Sequence, residues 1–137
     1  MNARSGAEEL LKEKGLRVTQ PRVAVLAYLA GSDHHPTAEE VGAAVNRLVP
    51  TAARASIYNV LHSLKDAGLV GELFFDDAVV RYEANVGRHH HFVCSSCGGV
   101  ADVPWDALPP LPKRRLPGGQ SVVSYAVTFR GLCPRCG

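Results

Sequence analysis

The four cysteines of this chain stand as two C-x-x-C pairs, Cys94/Cys97 and Cys133/Cys136. Four thiolates make the closed tetrahedral shell that zinc takes in structural sites. About 35 residues separate the pairs, more than the ~15–20 of a compact zinc ribbon, so a whole β-unit must lie between the two knuckles. One zinc ion per chain would tie the first knuckle to the second, and its binding energy would become folding energy. A C-x-x-C pair can also be a reactive dithiol. A single pair would leave that open, whereas two favour structural zinc.

His89, His90 and His91 sit too close to Cys94 for all of them to join that shell. On an extended strand His89 and His91 project to one face and His90 to the other. Two imidazoles on one face are half of a second metal site. The bland alternative is a solvated histidine run. Glu83, Asp102 and His35 are the residues available to complete such a site. A mixed imidazole and carboxylate shell suits ferrous iron or manganese rather than a second structural zinc. Ligands drawn from both halves of the chain would couple metal occupancy to the angle between them, which is how a metal could control DNA binding.

These groups need elements to position them. Ala7 to Lys14 reads as a short helix with Leu10 and Leu11 as its apolar contacts, ended by Gly15. Thr19-Gln20-Pro21 is a helix start, and Val23, Val25, Leu26 and Leu29 supply the buried side through Ala30. Gly31 to Pro36 is a loop. Thr37 with Glu40 forms a capping box for a third helix, in which Val41, Ala44, Val45 and Leu48 share a face and which Pro50 stops. A fourth helix spans 53–67, with Ile57, Val60, Leu61 and Leu64 as its apolar stripe. Arg54, Ser56, Tyr58, Asn59 and His62 lie on its opposite side.

Leu69 to Phe75 and Ala78 to Tyr82 then form two strands around an Asp76-Asp77 turn. Alone, the fourth helix reads equally as an ordinary surface helix. Followed directly by the hairpin it gives the order of a winged helix-turn-helix, with the fourth helix in the major groove and the hairpin as the wing. Glu83 to Arg88 is a hinge. Phe92-Val93 and Val100 to Val103 are short strands flanking the first knuckle. The proline-rich stretch 104–117, which ends after the basic run Lys113-Arg114-Arg115, excludes a long helix but leaves room for a turn near Trp105 to Leu108. Ser121 to Phe129 alternates apolar and β-branched residues and is expected to be the longest strand of the C-terminal half.

The 137 residues, 46% of them apolar, suit one ordinary domain or two small ones with a buried core. No apolar run approaches the ~20 residues of a membrane span. Met1 to Glu9 lacks a signal pattern, so a cytoplasmic protein is expected. The net charge of +2 argues little about partners. Through residue 80 there are eight Lys/Arg against ten Asp/Glu, so DNA binding would need locally placed basic groups. The absence of H-E-x-x-H, and of H-x-E paired with P-C-x-x-C, argues against a zinc hydrolase or deaminase.

The segments 15–22 (Gly-Leu-Arg-Val-Thr-Gln-Pro-Arg), 35–40 (His-Pro-Thr-Ala-Glu-Glu), 56–61 (Ser-Ile-Tyr-Asn-Val-Leu), 68–70 (Gly-Leu-Val), 81–83 (Arg-Tyr-Glu), 89–98 and the closing Cys-Pro-Arg-Cys occur in the order found in a known family. The chain resembles the ferric uptake regulators, and within them the peroxide-responsive, PerR-like repressors. The resemblance implies an α+β protein, not an enzyme. It has a winged helix-turn-helix DNA-binding domain over 1–83 and a small α/β dimerisation and metal-binding domain over 84–137.

It further implies a homodimer on a palindromic operator in double-stranded DNA, with Arg17, Arg54, Ser56, Tyr58 and Asn59 facing the DNA. By position, Cys94, Cys97, Cys133 and Cys136 match the structural zinc site. His35, Glu83, His89, His91 and Asp102 match a regulatory site for one Fe(II) or Mn(II) per chain. In peroxide-sensing members ferrous iron there reacts with hydrogen peroxide, a ligand histidine is oxidised, the ion is lost and DNA is released. Aspartate at 102 is typical of those members, whereas they often carry aspartate where this chain has Glu83. The alternative is a repressor of metal uptake answering to iron, zinc or nickel. A further metal site of many members uses a histidine near where Tyr125 stands, so it is not expected here. The family's helix in the dimer domain would fall around 105–117, which holds Pro109, Pro110, Pro112 and Pro117.

Overall fold

A computed structural model describes residues 3–32, 35–48, 54–75, 78–112 and 115–137, without the side chains of residues 54 and 55. Expectations for Asp33, His34, Pro50, Asp76, Asp77, Lys113 and Arg114, for the first residue of the fourth helix and for the Arg54 side chain lie outside the described residues. The chain divides into two units, Met1–Val86 and Gly87–Gly137.

In the first unit, α1 (Ala3–Glu13) buries Ala7 and Leu11, one turn apart on the same face. Leu10, expected to be a core contact, is 43% exposed, and the small Ala7 takes the buried place instead. The helix ends where Gly15 turns left-handed at φ 69 and the Leu16 N–H reaches back to the Leu11 carbonyl at 2.9 Å. That six-residue closure satisfies a terminal carbonyl, and glycine meets its positive φ without a Cβ clash. In α2 (Gln20–Ala30), Thr19 accepts the Arg22 N–H, Pro21 occupies the first turn, and Val23, Val25, Leu26 and Leu29 are buried.

The α3 helix (Ala38–Leu48) opens on the expected capping box: Thr37 Oγ1 accepts the Glu40 N–H at 3.2 Å and donates to Glu40 Oε1 at 3.4 Å. Val41 and Val45 are fully buried, but Leu48 is 67% exposed, because the last turn runs past the core. The next helix, α4 (Arg54–Asp66), buries Ile57, Leu61 and Leu64. It closes as α1 does, through left-handed Gly68 and a Leu69 N–H to Leu64 carbonyl bond. Each fully buried Leu, Ile or Val contributes about 1.5–3 kcal/mol, so the four helices hold one another through these stripes.

Strands β1 (Gly71–Phe74) and β2 (Val80–Glu83) pair antiparallel, with Gly71 opposite Glu83 and Leu73 opposite Arg81. Period-2 alternation turns Val80 and Tyr82 toward the helices and puts Arg81 and Glu83 on the other face. Four helices followed by this hairpin are the winged-helix arrangement.

In the second unit β3 (His89–Cys94) is central, flanked by antiparallel β4 (Val100–Pro104) and parallel β5 (Thr128–Gly131). The expectation of a longest strand over Ser121 to Phe129 is corrected: β5 has four residues and β3 six. Exposure still alternates along 124–129, but ladder pairing with β3 begins only at Thr128. Periodicity reports which face a residue takes; a strand also needs a neighbour to bond. The helix implied for 105–117 is likewise corrected to a 3-10 turn at Trp105–Ala107 among the described residues. The prolines beyond it remove N–H donors and clash with a continuing helix. Among the described residues no helix is long and apolar enough to cross a membrane.

Candidate metal centres and nucleic-acid face

The sheet of the second unit delivers both cysteine pairs to one end. Cys94 ends β3, a tight turn returns the chain through Gly98 (φ 74), and parallel β5 brings Cys133 alongside, with the Ser95 N–H bonded to the Gly131 carbonyl at 2.7 Å. The four Sγ atoms lie within 4.8 Å of one another, and Cys97 Sγ is 3.9 Å from Cys133 Sγ. A tetrahedral ion bound at about 2.3 Å sets its sulfurs about 3.8 Å apart, so the shell fits zinc.

Backbone N–H groups already point at the sulfurs: Cys97 N–H and Cys133 N–H at Cys94 Sγ (3.5 and 3.4 Å) and Gly99 N–H at Cys97 Sγ (3.4 Å). The amides of Cys97 and then Cys133 pull the Cys94 thiol down to about 6. Cys136 is pushed up to about 11, chiefly by its hydrogen bond to Cys133, which itself is lowered by that same contact.

At the opposite end of β3 from Cys94, with His91 three residues before it, stand the histidines. His89 Nε2 and His91 Nε2 are 3.0 Å apart. Across the β3–β4 register His91 faces Asp102, whose Oδ1 lies 3.5 Å from His89 Nε2 and 3.6 Å from His91 Nε2. Ions held at about 2.0–2.2 Å put neighbouring ligand atoms about 3.0–3.4 Å apart, so this triangle is close to the face of a coordination shell. Two histidines and one carboxylate on one face are donors that suit non-haem ferrous iron. The His89 tautomer suits the role. Its Nδ1 is 2.7 Å from the Gly87 carbonyl oxygen, which can only accept, so Nδ1 carries the hydrogen and Nε2 keeps its lone pair for a metal.

The first unit holds a second pair of donors. His35, just before α3, meets Glu83, the last residue of β2, at 3.3 Å between Nε2 and Oε2, with both side chains buried. This again is one edge of a shell. The Tyr82 N–H to Pro36 carbonyl bond (2.9 Å) and the Arg81 guanidinium donating to the His35 carbonyl (3.1 Å) anchor the loop to the strand. Sequence reasoning gave Arg81 no role; its place in the Arg-Tyr-Glu segment was the signal.

Of the residues expected to face DNA, Ser56, Tyr58 and Asn59 are exposed on α4, and Arg17 is exposed in the α1–α2 connection. Its carbonyl accepts from the Arg22 guanidinium at 2.7 Å. Tyr125 packs against Trp105, ring centroids 4.8 Å apart, and its hydroxyl accepts the Leu111 N–H at 2.9 Å.

Residues 13–129 match the sequence profile of the Ferric uptake regulator family. The chain is 34% identical over 131 residues to the peroxide-responsive repressor PerR of Staphylococcus aureus, covering 92% of this chain and 86% of that one. Among solved structures it resembles PerR from Streptococcus pyogenes, a structure concerned with peroxide sensing (30% identity, TM-score 0.55, 100% of this chain and 95% of that one). It also resembles the ferric uptake regulator of Francisella tularensis with iron (26% identity, TM-score 0.73, 89% and 95%).

Proposed function

This chain belongs to the ferric uptake regulator family, and from that premise we propose that it is a repressor whose signal is hydrogen peroxide. At the level of the family it is a metal-dependent transcription regulator rather than an enzyme, and such regulators bind DNA operators as dimers. In our reading two copies grip a palindromic operator in the cytoplasm through α4, with Arg17, Arg54, Ser56, Tyr58 and Asn59 on the DNA side. Phosphate contacts would come from the arginines and base contacts from Tyr58 and Asn59. The domain division proposed remains 1–83 for DNA and 84–137 for dimerisation and metal.

The four cysteines hold zinc permanently. His89, His91 and Asp102, together with His35 and Glu83, hold one exchangeable Fe(II) or Mn(II). Ferrous iron, when bound, supplies the electrons that reduce peroxide. The protein's part is to aim imidazole at the ion: the Gly87 carbonyl orients His89, and the β3–β4 register places His91 beside Asp102. Oxidation of either ring would remove a donor lone pair, weaken the ion's hold and favour the state with low DNA affinity.

The observation that carries the reading is the triangle of His89 Nε2, His91 Nε2 and Asp102 Oδ1, in a chain 34% identical to peroxide-responsive repressors. A mobility-shift assay with operator DNA tests it. Peroxide should abolish binding of the iron form and spare the manganese form; an equal response of the two forms would defeat it. Glu83 supports a second reading, in which the same repressor reports metal availability. Then DNA affinity would follow metal titration and ignore peroxide in both forms.

A further inference from the structure

His90, the middle of the histidine triplet, is absent from both donor sets, yet it is 1% exposed. Its ring lies on the opposite face of β3 from His89 and His91, stacked on Trp105 at 4.6 Å with 19° between planes. Phe129 meets it edge-on at 6.5 Å. The Arg88 guanidinium covers Trp105, 4.0 Å from the ring centroid. His90 Nδ1 accepts the Val127 N–H at 3.0 Å, so that nitrogen holds a lone pair and not a hydrogen. The next residue of β3, His91, donates its own N–H to the Val127 carbonyl at 3.0 Å.

Val127 is thus gripped at both backbone groups by consecutive residues of β3. The β3–β5 ladder stops here: the Val127 amide that would have continued it is bonded to a side chain. The grip also stands where β3 and β5 enter register, His91 opposite Thr128. A strand rolled about its axis swings its side chains together, so whatever clamps the His90 face also fixes where the His89 and His91 rings point.

We propose that His90 is a positioning residue for the His89/His91 pair. Through its Nδ1 bond to Val127 and its stack on Trp105, it holds β3 at the angle that keeps the two Nε2 atoms converged without any ion. The proposal rests on the reading of His89 and His91 as regulatory metal ligands.

The test compares full-length, zinc-loaded wild type with His90→Asn, which keeps a side-chain acceptor, and His90→Phe, which keeps a stacking ring without one. Two quantities are measured: hydrogen exchange of the Val127 amide without manganese, and Mn(II) affinity from the free-ion electron paramagnetic resonance signal. Loss of a group that orients a ligand typically weakens metal binding ~10–100-fold. His90→Phe should therefore weaken Mn(II) binding about tenfold or more and speed Val127 exchange, at unchanged zinc content, while His90→Asn restores most of both.

Wild-type Mn(II) affinity in His90→Phe, or damage in His90→Asn equal to that in His90→Phe, would overturn the positioning role. So would a Val127 amide that exchanges freely in the wild type. A wild type with a protected amide and no Mn(II) site would sink the regulatory reading instead.

Discussion

Glu83 lies directly across the β1–β2 ladder from Gly71, and a Cβ at position 71 would stand 3.4 Å from Glu83 Cγ and 3.6 Å from Oε1. The bare glycine leaves the glutamate room to lie over the ladder, where Oε2 meets His35 Nε2 at 3.3 Å. One methyl group fits at ordinary contact distance, whereas valine adds two γ-methyls beyond that Cβ. Gly71→Ala should therefore bind Mn(II) like the wild type. Gly71→Val should bind it about tenfold more weakly, as when a ligand's support is lost, with zinc content unchanged. Equal affinities across the three proteins would show that Glu83 takes its place from elsewhere.

The wing carries a different kind of strain. Ala78 sits at φ 60, a left-handed conformation that places Cβ against the following carbonyl and costs about 1–2 kcal/mol for an L-residue. Glycine adopts it freely. Ala78→Gly should raise unfolding stability by up to about 1 kcal/mol, since glycine's larger unfolded-state entropy offsets part of the relief. A denaturant melt that shows a loss would mean that the turn depends on the methyl group.

What the sequence made legible was local. The capping box at Thr37 and Glu40, the proline start of α2 and the glycine ends of α1 and α4 are each written in a few adjacent residues, and each forms as read. The two C-x-x-C pairs announced their shell because four thiolates at that spacing have few other uses. Leu10 and Leu48 misled because helical periodicity locates a face, not where along it the core ends. The strand expected over 121–129 pairs with β3 only from Thr128: its Val127 amide goes to the His90 ring, a contact 37 residues distant in sequence. His90 was visible only as the odd member of its triplet. Its partner Trp105 gave no signal, because stacking across a sheet has no spacing rule.

The sulfur shell predicts a definite pH dependence. Zinc needs thiolates, so its affinity rises with pH wherever a proton must be displaced. Cys136, pushed up to about 11 by its bond to Cys133, gives up a proton to zinc throughout the neutral range. Cys94, drawn down to about 6 by the Cys97 and Cys133 amides, is already a thiolate at neutral pH and adds to the slope only in more acidic solution. In a chelator competition from pH 5 to 8, the logarithm of zinc affinity should steepen by about one proton per pH unit on descending through the Cys94 value. A slope unchanged across that point would place the lowered thiol elsewhere.

The two shells should also separate by mutation. His91 Nε2 lies 3.0 Å from His89 Nε2 and 3.6 Å from Asp102 Oδ1, while its backbone N–H bonds the Val127 carbonyl just before β5. Removing the ring should leave the sheet intact. His91→Ala is expected to keep one zinc per chain and its dimeric sedimentation while losing Mn(II) and, with it, at least tenfold in operator affinity, the scale of a lost metal-ligand contact. Cys97→Ser should do the reverse damage. Structural zinc contributes about 10–16 kcal/mol of apparent binding energy to the folds it closes, so loss of one sulfur should lower zinc content, melt the second unit early and shift the protein toward monomer. A His91→Ala protein that sheds zinc or unfolds would assign this histidine to the structural shell and collapse the distinction between a permanent ion and an exchangeable one.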